Sequence, residues 1–455
     1  MTDRTSDQHG QMNPLRFGTI LAALDQGDGA RLSALLDPLH PADIADLLEQ
    51  LDEDRRNTLL SMYSGGIDGD ILSEISDSIR EDVIGALPPE VVAEAVRDLH
   101  TDDVVDILED LAAPAQAVIL SALDQADRAA VEKALTFPDY SAGRLMQREV
   151  VVAPEDWTVG EMIDHLRAAE WLPDQFYHVI LVDPRMKPVA FVTLGRLLSS
   201  RREVKLAAIT EDSFRTVRAT EPEADVAYLF NQYHLISCPV VDDAGRLVGV
   251  ITIDDAMNVL DEEHEEDMLR LAGVDDAASL SDGPLRTARG RLPWLVVNLF
   301  TASISAFVIS QFEATILAIV ALAALMPIVA STGGIAGTQA LAVAVRALAT
   351  RSLTTANARR VVLRELGAGL VNGAALALVL GGAGALVFGD LWLGVVLALA
   401  MVVNQVVAAL GGVLVPLTLQ RLGADPALAS GTFVTTLTDV MGFFAFLGFA
   451  TVLLL

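Results

Sequence analysis

Five apolar runs crowd the last 170 residues of the chain, and they constrain its fold before any motif is considered. They cover Pro293–Gln311, Ala314–Val345, Leu366–Gly389, Leu391–Gln420 and Ala427–Leu455. A hydrocarbon core of about 30 Å takes about 20 helical residues, so each run crosses it, and the longer ones should tilt or extend beyond it. The charges between the runs alternate. Arg286, Arg289 and Arg291 precede the first, five arginines from Arg346 to Arg364 separate the second from the third, and Arg421 separates the fourth from the fifth. The other two connections carry Glu313 and Asp390 and no basic residue. Loops rich in arginine stay in the cytoplasm. The expectation is a multi-pass protein of the cell (inner) membrane, with its N-terminus cytoplasmic and its C-terminus outside.

The rest of the chain has the opposite character. The protein is 52% hydrophobic yet has a net charge of −30. From Arg286 onward there are nine basic and five acidic residues, which leaves 22 basic and 56 acidic in 1–285, a net charge of −34 there. Such a half repels the phosphates of nucleic acid and suits cations. Cys238 is the single cysteine, so no disulfide forms within the chain and a cytosolic half is expected. Met1 to Gly18 is polar and lacks the apolar core of a signal peptide.

Within the fifth run, Asp439 is the one ionisable residue after Pro426. A carboxylate at mid-bilayer costs about 2.5–3.5 kcal/mol on insertion scales, so it faces a bundle interior, water or a cation. Asp439 is therefore the first candidate for an ion site. The second run contains Pro327, Ser331-Thr332-Gly333-Gly334 and Gly337-Thr338-Gln339. These residues free backbone carbonyls, and lining a pore is the reading favoured over close helix packing.

Residues 15–136 read as short amphipathic helices. Leu39 to Leu51 recurs as Leu99 to Leu111, with seven of thirteen positions identical at a spacing of 60 residues, the mark of a helical superhelix. Asp102 and Asp106 lie four apart and share one helix face, where like charges need water or a cation. His40 and His100 are expected to serve helix starts. Residues 141–260 change style. Tyr177–Asp183 with Val189–Thr193, and Cys238–Asp242 with Leu247–Thr252, read as paired strands, the second pair joined by a turn at Asp243-Ala244-Gly245-Arg246. The pattern resembles a tandem pair of CBS domains. In such pairs the Thr and the final Asp of the signature hold a nucleotide, here Thr252 and Asp255, with ATP as the ligand. The first copy, Val192-Thr193-Leu194-Gly195-Arg196, lacks that Asp. An acidic helix follows from Asp254 to Gly273.

These parts, in this order, resemble the MgtE family of magnesium channels over nearly the whole chain. The specific stretches are Ser141-Ala142-Gly143-Arg144-Leu145-Met146, Arg291-Leu292-Pro293-Trp294-Leu295, Gly333-Gly334-Ile335-Ala336-Gly337-Thr338-Gln339, and Asp425-Pro426-Ala427 through Thr435 to Gly442. The implied fold class is multidomain: a disordered N-terminus (1–14), an α-helical superhelix N domain (15–136), an α/β tandem CBS pair (137–253), a connecting or plug helix with its linker (254–285) and an all-α domain of five transmembrane helices (286–455). The resemblance implies a homodimer in the lipid bilayer, with the second and fifth helices lining a pore at the dimer interface and Asp439 as the selectivity carboxylate. It implies a Mg²⁺-selective channel for passive uptake. Cytosolic Mg²⁺ would close it by bridging Asp102, Asp106, Asp255, Glu263 and Glu266, with Asp425 facing Glu266 across a shared ion. Two departures stand out: Ile335 where the family has Asn, and Thr432 where it often has Pro. The alternatives are a channel or carrier for Mn²⁺ or Co²⁺, and a non-conducting CBS sensor. No catalytic motif points to an enzyme.

Overall fold

The computed structural model describes residues 13–97, 99–109, 111–169, 171–173, 176–274, 284–354, 356–427 and 430–455. The expected N-terminal segment 1–14 lies outside them apart from Asn13 and Pro14, as do Asp110 of the repeat and most of the linker before Pro284. The chain divides at Glu263/His264 into two units.

Among the described residues, the first unit begins with ten helices, from α1 (Pro14–Asp25) to α10 (Gln125–Ala134), which include α3 (Pro41–Gln50), α4 (Glu53–Tyr63) and α8 (Thr101–Glu109). Their starts are written locally. The side chains of Asn13, Asp28, Asp52, Asp68 and Asp124 accept backbone N–H groups from the first turns that follow them. His40 caps α3: its Nδ1 accepts from the Ala42 N–H at 3.3 Å, and Asp43 accepts from the His40 N–H at 3.4 Å. The repeat then buries equivalent residues, Ile44, Leu47 and Leu48 in one copy and Val104, Ile107 and Leu108 in the other, in one continuous core.

The CBS pair repeats one order of elements. The first copy is β1 (Val152–Pro154), α11 (Val159–Ala168), β2 (His178–Val182), β3 (Pro188–Thr193) and α12 (Leu194–Ser199). The second is β4 (Val217–Arg218), α13 (Glu223–Tyr233), β5 (Ser237–Val241), β6 (Leu247–Thr252) and α14 (Ile253–Leu271). In each sheet the middle strand pairs parallel with the short first strand and antiparallel with the third. The hairpin turns share a device: Asp183 and Asp242 each accept N–H bonds from their turn, and Met186 and Gly245 adopt positive φ.

Among the described residues, the second unit holds five long apolar helices: α15 (Pro284–Ser310), α17 (Ala321–Ala349), α18 (Ala358–Phe388), α19 (Leu391–Arg421) and α20 (Ser430–Leu454). The shortest has 25 residues, about 37 Å at 1.5 Å per residue, enough to span a bilayer. The expected second run is not one helix. A short α16 (Glu313–Ala318) precedes α17, and the chain turns at Ile319, φ −133° and ψ 84°. From Ala321 the helix continues through Pro327 and the glycines without a break. α19 is central, packed on α17, α18 and α20. Small residues allow the close approach: the buried face of α18 includes Gly369, Gly373, Ala377, Gly381 and Gly384, and a Cβ on Gly381 would stand 2.7 Å from the Gly394 carbonyl.

Candidate functional site

The first site is a cavity of about 530 Å³ in the first unit, between α8 and the second CBS copy. Its lining includes eight acids, Asp102, Asp103, Asp106, Glu109, Asp139, Glu223, Asp255 and Glu262, against one basic residue, Arg144. Three expected residues, Asp102, Asp106 and Asp255, are therefore brought together. Asp102 and Asp103 occupy the first turn of α8, where the helix dipole favours anions. Burial of Asp102 holds its carboxyl well above the usual carboxylate range, and the nearby Asp255 adds to the shift. Asp255 is raised in turn by its own burial. Burial also pushes Glu223 up to about 7, helped by Glu262, Glu109 and Glu263. Asp106 differs: the buried Arg80 guanidinium pairs with it at 2.9 Å.

This donor set suits a hard cation. Carboxylate oxygens favour Mg²⁺ and Ca²⁺, and no thiol lines the cavity. His100, Asp102 and Asp103 place one ligand atom each within 4.8 Å of one another. His100 still serves its helix start, because Asp103 accepts from its backbone N–H, as Asp43 does from His40. The Thr252 hydroxyl donates to Asp255 at 2.5 Å, so the residues expected to hold a nucleotide hold each other, at the edge of the acidic cavity. Glu263 is exposed on α14 and bears on Glu223. Asp103, Glu109, Asp139, Glu223 and Glu262 were not expected from the sequence. Only the doublet Asp102-Asp103 and the acidic run from Asp261 offered a local signal for any of them.

The second site lies on α20. Asp439 is half-buried, and no described residue hydrogen-bonds or ion-pairs with its carboxylate. One turn earlier, Thr435 faces Gly334 of α17, and Val434 and Thr438 pack on Gly337. Gly333 and Gly337 are buried at this seam, which makes them close-packing residues rather than pore-lining ones. A Cβ on Gly333 would overlap the Asn404 amide, and one on Gly442 would stand 2.9 Å from it. Asn404 of α19 is fully buried, donates to the Val329 carbonyl at 2.8 Å and leaves its own Oδ1 without a partner. Gln405 donates to the Thr332 carbonyl at 3.3 Å. Carbonyls of α17 are thus satisfied by a neighbouring helix. Ile335 is 58% exposed, and Ser331, Thr338 and Gln339 are exposed on the same helix. The half-buried Thr432 accepts from the Thr435 and Thr436 hydroxyls through its carbonyl.

The third arrangement joins Glu266 and Asp425, and the bridging cation is the protein's own. Arg270 Nη2 lies 2.7 Å from Glu266 and Nη1 lies 2.8 Å from Asp425. The guanidinium stands where a shared ion was expected.

A family model described as the MgtE intracellular N domain matches residues 39–140, CBS models match 142–203 and 206–262, and a model described as a divalent cation transporter matches 326–449. The chain is 36% identical to a magnesium transporter MgtE of Thermus thermophilus over 73% of this chain and 74% of that one. It is 34% identical to the Enterococcus faecalis protein of that name, over 68% of each. A solved structure of the cytosolic domain of the Mg²⁺ channel MgtE in complex with ATP is 29% identical with a TM-score of 0.49, covering 53% of this chain and 99% of that one. With all three kinds of domain matched in order and relatives this similar along most of their length, the chain belongs to the MgtE family.

Proposed function

We propose that the protein carries Mg²⁺ passively across the cell membrane, that Asp439 is its filter carboxylate, and that the acidic cavity is its cytosolic cation sensor. The observation that carries the reading is Asp439: a carboxylate inside a span, with no partner among the described residues, beside the α17 seam. Hydrocarbon is the costly place for such a group. Two copies of the chain would give it a wet axis, and the exposed Ser331, Thr338 and Gln339 of α17 are polar groups that such a partner would cover. Mg²⁺ gives up its waters reluctantly, so paired carboxylates would hold the hydrated ion through them, with Thr435, Thr436 and Thr438 as neutral neighbours. Entry of one divalent ion through 100 mV gains roughly 4.6 kcal/mol, twice the figure for a single charge, so no fuel is needed.

The N-terminus lies in the cytoplasm and the C-terminus outside, in keeping with the basic loops. When cytosolic Mg²⁺ is scarce, the cavity carboxylates repel. When it is plentiful, Mg²⁺ held by Asp102, Asp106 and Asp255, with Glu263 nearby, draws the helical domain and the CBS pair together. The change passes along α14, one continuous helix from Ile253 to Leu271 that carries Asp255 near one end and Glu266 near the other. The cation prefers one of two states, and that difference is the coupling. ATP would bind at Thr252 and Asp255 only by parting their mutual hydrogen bond.

The test is Mg²⁺ flux into liposomes holding the purified protein. Wild type should admit Mg²⁺ with low Mg²⁺ at the sensor, and Asp439→Asn should not while eluting as the same species. Wild-type vesicles as tight as empty ones would overturn the reading, and preferential flux of Mn²⁺ or Co²⁺ would replace the ion.

A further inference from the structure

The connection from α17 to α18 carries five arginines, Arg346, Arg351, Arg359, Arg360 and Arg364, and no acid before Glu365. Topology alone asks only that such a loop be basic. It does not ask that the loop be built, and this one is. Leu353 is buried, and its N–H donates to the Ala347 carbonyl at 2.7 Å. The Asn357 side chain ties the turn together: its Nδ2 donates to the Ser352 carbonyl at 2.7 Å and its Oδ1 accepts the Thr354 N–H at 2.8 Å. Arg351 is held at φ 52°, a left-handed conformation that a non-glycine residue adopts only under constraint. The five arginines are nonetheless exposed, and Arg346, Arg359 and Arg360 have no ion-pair partner among the described residues.

Beneath the loop lies a cavity of about 230 Å³. Its walls are apolar. Ala340, Val343, Ala344 and Ala347, in the last turns of α17, supply one side over about 10 Å of helix axis, and Val361 of α18 and Val413 of α19 complete them. Its polar residues are Ser352 of the loop and the neighbouring Arg364 and Glu365 of α18. Arg364 turns Nε and Nη2 to Glu365, the shorter contact being 2.9 Å, and 65% of its side chain stays exposed. Its Nη1 donors are left over. Arg360 lies one turn earlier, so the two guanidiniums share a helix face. The arrangement is amphipathic, with apolar walls inside the end of the span and cationic donors just beyond it. A basic pocket between spans, beside a cluster of arginines, suits the headgroup of an anionic lipid. The planar guanidinium fork matches a phosphate.

We propose that this loop and cavity form a binding site for an anionic phospholipid. Arg360 and Arg364 hold the phosphate, the other arginines of the loop surround it with positive charge, and part of an acyl chain lies against the walls between α17 and α18. A zwitterionic lipid meets the same walls and gains less from the arginines. The site owes nothing to the ion carried, so it stands or falls apart from the transport reading.

The experiment titrates the full chain, delipidated in neutral detergent, with phosphatidylglycerol or with phosphatidylcholine of the same acyl chains, and reads the lipid retained per chain by native mass spectrometry. Phosphatidylglycerol should bind wild type at least about tenfold more tightly, equivalent to about 1.4 kcal/mol. Arg360→Gln and Arg364→Gln should each weaken it about fivefold, equivalent to about 1 kcal/mol, and leave phosphatidylcholine unchanged. Val343→Trp fills the exposed part of the wall and should weaken both lipids. Arg421→Gln removes an exposed arginine outside the loop and should change neither. Wild type alone gives a check that needs no variant: raising salt from about 0.1 M to about 1 M shortens the screening length from about 10 Å to about 3 Å and should remove most of the preference. Equal affinity for the two lipids, or a preference untouched by salt, would overturn the site. So would a loss at Arg421→Gln as large as that at Arg360→Gln, because diffuse charge acts that way. A second copy of the chain as the true occupant would also overturn it, and would show as Val343→Trp dissociating dimers while lipid retention stays at the wild-type level.

Discussion

The cavity beside α8 gathers eight carboxylates around one arginine, whereas α20 offers a single carboxylate with no described partner. In the cavity the charges share the cost of burial: Asp106 has Arg80, Glu109 has Arg144, and the most buried acids lean towards their protonated forms. In the span nothing shares it. A site built from many acids loses affinity by degrees when one is neutralised, as befits a sensor. A site built from one acid per chain works or fails with that acid, as befits a filter.

The contrast can be broken from the packing side. Gly333→Leu drives a side chain into the space of the Asn404 amide, and overpacking of this kind costs about 1–3 kcal/mol or rearranges the bundle. Thermal unfolding in detergent should show the loss, and Gly333→Ala with Asn404→Ala should recover part of it. A Gly333→Leu midpoint equal to wild type would mean that the seam is looser than its glycines suggest. Within the cavity, Asp102→Asn and Asp255→Asn should each raise the half-closing Mg²⁺ concentration about tenfold without abolishing conduction, the factor that a loss of 1.4 kcal/mol produces.

A pH series sharpens the same point. Burial raises Glu223 from 4.5 to about 7, so the folded state keeps a proton that the unfolded chain has lost. The stabilisation is complete below pH 4.5 and is lost as pH rises through 7, because the folded state binds more protons across that window. In EDTA the melting temperature should fall between pH 5 and pH 8, and Glu223→Gln should flatten the fall; an equally steep fall in that variant would assign the effect elsewhere. The smallest change is expected at Arg270→Gln. The pairs there are partly exposed, and Mg²⁺ can take the place of the guanidinium between Glu266 and Asp425, so the half-closing concentration should rise only about threefold. A tenfold rise would make this arginine a principal lock.

The legible parts of the sequence are those fixed by local rules. Run length marked the membrane helices, the thirteen-residue repeat marked the helical domain, and β-rich runs marked both hairpins, the second with its Asp243-Ala244-Gly245-Arg246 turn. Misread were the places where distant residues decide. Nothing in Ile319-Val320 announces the turn between α16 and α17, since neither residue is a glycine or proline. The paired glycines look like breakers alone, but beside Asn404 and Val434 they are sockets in a continuous helix. Arg270 meets Asp425 from 155 positions away, a partnership with no local trace. β1 and β4 have three and two residues, too few for periodicity to register.

The direct test is a paired measurement in one vesicle preparation: Mg²⁺ influx for Asp439→Asn and Asp255→Asn, at low and at saturating sensor-side Mg²⁺. The filter assignment predicts that Asp439→Asn is silent under both conditions, with flux down at least about a hundredfold, equivalent to about 2.8 kcal/mol, while Asp255→Asn conducts as wild type and closes only at higher Mg²⁺. Wild-type flux through Asp439→Asn would contradict it.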